Sequence, residues 1–103
     1  MELDKWLLEY NVKSMIKESY NKYIENYKLE APKDYAEVFG NKDVAKIDMV
    51  FHSVSYVINY RYIEEYKYKS VKIRLEYDDS GFAEYEAIYD FNGQIEDDYF
   101  RII

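Results

Sequence analysis

The sequence has no cysteine, one histidine, one proline and three glycines in 103 residues. Without cysteine there is no disulfide, no thiolate zinc site and no cysteine nucleophile, and the compartment leans only mildly toward the cytosol. The single histidine, His52, cannot build a cluster of imidazole ligands, and it reads as a strand residue with a satisfied ring. Three glycines are too few and too scattered for a phosphate-cradling loop of the GxxxxGK or GxGxxG type. No apolar run approaches the ~20 residues of a membrane span. The opening MELDKWLLEY mixes charge into its apolar residues and does not read as a signal peptide. The expectation is a cytoplasmic protein without cofactor, metal or catalytic motif, and not an enzyme.

What is present is acid and tyrosine. The formal charge is −7, and 14 residues are Tyr. The charge is unevenly placed: residues 1–75 hold 12 acids and 13 bases, whereas residues 76–103 hold 9 acids and only Arg101 as a base. A domain polarised in this way repels phosphates and attracts basic surfaces, and association rate is the quantity most affected. The length suits a single domain over residues 1–103. Each tyrosine hydroxyl needs water or a partner, so many rings should sit half exposed.

From Leu3 to Tyr27 apolar residues recur at three and four: Leu3, Trp6, Leu7 and Tyr10, then Val12, Met15, Ile16, Tyr20, Tyr23, Ile24 and Tyr27. That spacing predicts one long core-facing helix, capped by Asp4, with a possible break at Asn11 where the stripe changes register. Lys33 to Phe39 reads as a short helix closed by Gly40 in the left-handed position. Residues 44–63 are ambiguous. VSYVINYRYI favours strand by composition, yet Ile47, Val50, Phe51, Val54 and Val57 also fit a helix.

The remainder is a meander. KSVKIRLEY alternates, Asp-Ser-Gly turns the chain into FAEYEAIYDF, and Asn92-Gly93 predicts a type I′ hairpin. A two-residue Asn-Gly loop pairs Tyr85 with Phe100, Ala83 with Ile102 and Glu84 with Arg101. A three-residue Asp79-Ser80-Gly81 loop pairs Leu75 with Tyr85, Ile73 with Ala87 and Arg74 with Glu86. The inner face is then Val71, Ile73, Leu75, Tyr85, Ala87, Tyr89, Phe91, Phe100 and Ile102. The fold class is therefore α+β: a long N-terminal helix packed on a curved antiparallel meander of about four strands.

One detail breaks the alternation. Asp97 points outward, but Glu96 and Asp98 fall on the inner face, opposite Tyr89 and Ala87, where an unpaired buried charge costs several kcal/mol. Three accounts are open. Inward charges on an edge strand block aggregation; the helix stops short and leaves an acidic mouth for a partner; or Asp98 or Glu96 acts as a general base beside Tyr89 or Tyr85 in a pocket.

Asp78-Asp79-Ser80-Gly81 lacks the alternate ligands and distal Glu of a calcium loop, and reads as a turn. Tyr56, Tyr60, Tyr62, Tyr66 and Tyr68, interleaved with Arg61, Lys67 and Lys69, have a base-stacking pattern, but Glu64, Glu65 and the net charge oppose nucleic acid. Tyrosines near acids suit a protein interface better.

The helix followed by the meander, and above all EYEAIYDFNGQIEDDYFRI, resembles the cystatin-like and nuclear-transport-factor-like folds, which implies a curved sheet wrapping a long helix. In its general character, small, acidic and rich in Tyr and Lys, the chain is similar to bacterial immunity proteins and phage anti-CRISPR proteins. That likeness implies a protein that binds and blocks an enzyme acting on nucleic acid. The expected partner is a basic toxin or nuclease domain, met by Asp78, Asp79, Glu84, Asp97 and Asp98 with Tyr99 as an aromatic anchor, the chain itself being a monomer or weak dimer. The competing readings are the small pocket enzyme and a homo-oligomeric module.

Overall fold

The computed structural model describes residues 2–60 and 66–103. The elements are α1 (Glu2–Glu9), α2 (Val12–Glu30), α3 (Pro32–Phe39), a short 3-10 turn (Val44–Lys46), and strands β1 (Asp48–Asn59), β2 (Tyr66–Tyr77), β3 (Ser80–Tyr89) and β4 (Ile95–Ile102). The strands form one antiparallel sheet in the order β1-β2-β3-β4. This is the expected α+β architecture, a long helix on a four-stranded open sheet.

The N-terminal helix is two helices. Asn11 leaves helical geometry, and its Oδ1 accepts the amide of Ser14 at 3.2 Å, so α2 begins with its own cap. Asp4 lies inside α1 and is not its cap. Val12, Ile16 and Tyr20 of α2 are buried against Val71, Ile73, Leu75, Ala83, Tyr85, Ala87 and Tyr89 of the sheet. Trp6 brings α1 onto the same core, its ring 6.2 Å from Tyr89. Phe91 and Phe100 are partly buried, while Ile102, expected inside, is exposed at the end of the edge strand.

Pro32 opens α3 at its first turn, where a missing N–H costs nothing. The expected left-handed Gly40 is right-handed, with φ −63°. Its lack of Cβ serves close approach instead, since a Cβ there would lie 2.4 Å from the Ala36 carbonyl oxygen.

Both hairpins differ from expectation, in opposite senses. At β2–β3 the loop is Asp78-Asp79, with φ of 51° and 61°, the signature of a type I′ turn. Leu75 then pairs with Ala83, Ile73 with Tyr85 and Arg74 with Glu84, two residues from the expected register. An even shift keeps every side chain on its expected face. At β3–β4, Asp90 Oδ1 accepts the amides of Asn92 and Gln94, making a three-residue loop that ends in Gly93 with φ 78°. Tyr89 therefore faces Ile95, and Glu96 is an extra residue. Beyond that bulge the expected pairs return, including Tyr85 with Phe100 and Glu84 with Arg101.

Of the ambiguous segment, Val44–Lys46 is the 3-10 turn and Asp48–Asn59 is strand β1, while residues 61–63 lie outside the described residues. Phe51 pairs with Ile73 and Ser53 with Lys72, so His52 is a bulge residue, exposed, with Nδ1 3.0 Å from the Ser53 hydroxyl. Among the described residues, no helix is long and apolar enough to cross a membrane.

Candidate partner-binding surface

The bulge at Glu96 governs the acidic strand. It turns Glu96 out to solvent, Asp97 takes the outer face opposite Ile88, and Asp98 returns to the inner face opposite Ala87. Asp98 is half-buried there and accepts a hydrogen bond from the Tyr85 hydroxyl at 2.8 Å. Burial first, and then that bond and the charge of Asp98, push the Tyr85 hydroxyl far above the ordinary tyrosine range. Tyr89 is likewise buried and shares a 2.7 Å hydrogen bond with Ser19 of α2. Each hydroxyl of this inner-face pair has a side-chain partner, Asp98 for Tyr85 and Ser19 for Tyr89.

Between α2 and β4 lies a groove of about 440 Å³. Its walls include Ser19, Tyr23 and Tyr89, and its carboxylates are Glu18, Glu96, Asp97 and Asp98. Among the described residues Lys22 is the one cation in its lining, and it is 3.6 Å from Glu18. Glu18 and Ser19 escaped the sequence reading. Their signal was the polar flank of α2, where Glu18, Ser19, Lys22 and Asn26 run beside the apolar stripe at helical spacing.

The six residues expected at the interface are divided. Asp97, Asp98 and Tyr99 lie together on β4, and the Tyr99 hydroxyl donates to Asp97 Oδ2 at 2.9 Å. Asp78 and Asp79 are exposed at the β2–β3 turn, toward the opposite end of β3. Glu84 is on the outer face, 4.0 Å from Arg101, whose guanidinium also contacts Glu86 at 2.8 Å. Burial raises the Glu86 carboxyl, but bonds from Ser70 and Arg101 and the charges of Arg101 and Lys72 outweigh it, leaving it below the ordinary value. The outer face thus engages Glu84 and Glu86 internally, whereas Glu96 and Asp97 stand exposed on β4.

The tyrosine-lysine pattern of residues 56–69 is partly interior. Lys69 is buried, its ammonium 3.2 Å from the Phe91 ring centre and 4.7 Å from that of Tyr56. Tyr60 is exposed, and Arg61, Tyr62, Glu64 and Glu65 lie outside the described residues. Among the described residues, no three metal-ligating side chains converge. No family model matches this chain, and neither a curated protein nor a solved structure does.

Proposed function

We propose that this chain is a protein-binding inhibitor that docks its acidic β4 edge into the basic substrate cleft of a nucleic-acid-acting enzyme or toxin, in the manner of an immunity or anti-CRISPR protein. The observation that carries this reading is the gathering of Glu18, Glu96, Asp97 and Asp98 around one groove beside an edge strand. Such a surface mimics the charge of the substrate and speeds encounter with a basic cleft. Tyr99, exposed beside Asp97, supplies rigid aromatic contact area.

The test begins with capture of the tagged chain's partner from cells that encode it. The partner's nucleic-acid cleavage is then titrated with the wild-type chain and with Glu96→Gln/Asp97→Asn. Stoichiometric inhibition that the variant loses by tenfold or more supports the reading; undiminished cleavage at saturating inhibitor, or an equally potent variant, overturns it.

A second reading rests on Asp98, which lines the groove and accepts the Tyr85 hydroxyl from behind it. In that reading Asp98 or Glu96 is a general base acting on a small molecule, with Tyr85 or Tyr89 as hydrogen-bond donor. Ligand-observed NMR of a fragment library against wild type and Asp98→Asn separates it from the first: binding lost in the variant supports the pocket.

A further inference from the structure

The two edges of the sheet are built in opposite ways. Four of the eight residues of β4 are charged, namely Glu96, Asp97, Asp98 and Arg101. β1 has one charged residue in twelve, Asp48, and leaves Val50, Phe51 and Ile58 exposed. A long edge strand with apolar side chains is a template for another strand, and nothing in its charge resists one. We propose that β1 pairs antiparallel with β1 of a second copy, on a twofold axis at Val54, joining two four-stranded sheets into one of eight strands.

The pattern of β1 selects its own copy as the occupant. Because of the His52 bulge, the inner face carries Met49, Phe51, Val54, Tyr56 and Ile58, and the outer face carries Asp48, Val50, Ser53, Ser55 and Val57. An antiparallel copy centred on Val54 sets Ser53 opposite Ser55. If each His52 is passed over as it is against β2, Phe51 then meets Tyr56, Val50 meets Val57 and Met49 meets Ile58. Every pair shares a face, apolar residues meet apolar ones, and no two like charges are opposed. A centre at Ser53 or Ser55 keeps the faces but sets Ser55 against Val50 or Ser53 against Val57, so the centre at Val54 alone matches apolar with apolar on the outer face.

Net charge does not oppose this contact. The acidic edge is three strand spacings from β1, about 14 Å, beyond the screening length of roughly 8–10 Å at ordinary ionic strength. The self-complementary contact is isologous, so it closes at a dimer. It lies on the opposite edge from the surface proposed for a basic partner, so either can fail while the other stands.

The cysteine-free chain makes the test clean. Sedimentation velocity of the full chain over a concentration series gives its mass, and two single-cysteine variants report the contact. In Val54→Cys each thiol faces its copy, at a Cα separation of about 4.5–5.5 Å that lies within disulfide reach. Ile102→Cys, exposed on β4, is the control. The expected results are a dimer mass, disulfide formation at least tenfold faster for Val54→Cys, and a monomer with unchanged circular dichroism for Val50→Lys/Val57→Lys. A monomer up to millimolar concentration, equal cross-linking of the two cysteine variants, or a dimer indifferent to the lysine pair would overturn the proposal.

Discussion

The Tyr85 hydroxyl donates to Asp98 Oδ2 at 2.8 Å, from a β3 residue to a β4 carboxylate on the same inner face of the sheet. A carboxylate that alternation forces inward is thereby given a partner. The ring that supplies it also packs on Tyr20 and Tyr23, both with ring centres 5.6 Å away. Tyr85→Phe keeps that packing and removes only the donor, so it should cost about 1–2 kcal/mol. Urea unfolding measures the loss, and adding Asp98→Asn to Tyr85→Phe should cost less than the sum of the single changes.

Glu86 sets part of the acid limb of stability. Its carboxyl lies lower in the fold than its ordinary value of 4.5, so its contribution is present above that value and is lost as pH falls toward the folded one. Wild type should therefore lose more stability than Glu86→Gln between pH 5 and pH 3. Thermal melts of both across that window check it; parallel curves would remove Glu86 from the account.

The alkaline limb belongs to tyrosine. Burial raises the hydroxyls of Tyr20, Tyr85 and Tyr89 above the ordinary value of 10.0, so the unfolded chain ionises first. Their contribution is complete below pH 10 and declines as pH rises beyond it. Titration by ultraviolet absorbance should show a late group of tyrosines that ionises together with unfolding.

Gly93 is required twice over. Its φ of 78° disfavours any side chain, and a Cβ there would lie 2.8 Å from the Tyr10 ring. Tyr10 in turn hydrogen-bonds the Phe91 carbonyl at 3.4 Å. Gly93→Ala should cost about 2 kcal/mol and loosen α1, which the fluorescence of Trp6, the one tryptophan, reports.

Faces were easier to read from this sequence than loops. Alternation of apolar residues put Val71, Ile73, Leu75, Tyr85, Ala87 and Tyr89 inside, and they are inside. The turns were exchanged, because local hydrogen bonding overrode dipeptide preference. Asp90 bonds its own loop and turns Asn-Gly into a three-residue connection, while two aspartates adopt the positive φ assigned to glycine. The bulge at His52 accounts for one step of the helical spacing in β1, Phe51 to Val54, whereas Val50 and Val57 lie on the outer face. The strand's inward residues step by two, then three, then two. Asp97 and Asp98 were visible in sequence, but Glu18 belongs to a distant element that only the packing of α2 brings to the same groove.

The association rate of the captured partner with this chain, measured by stopped flow at low and high salt, tests the central claim most directly. An acidic edge that steers a basic cleft predicts a rate that falls at least tenfold with salt and falls again in Glu96→Gln/Asp97→Asn, with stability within about 0.5 kcal/mol of wild type. A rate indifferent to salt and to both substitutions would contradict it.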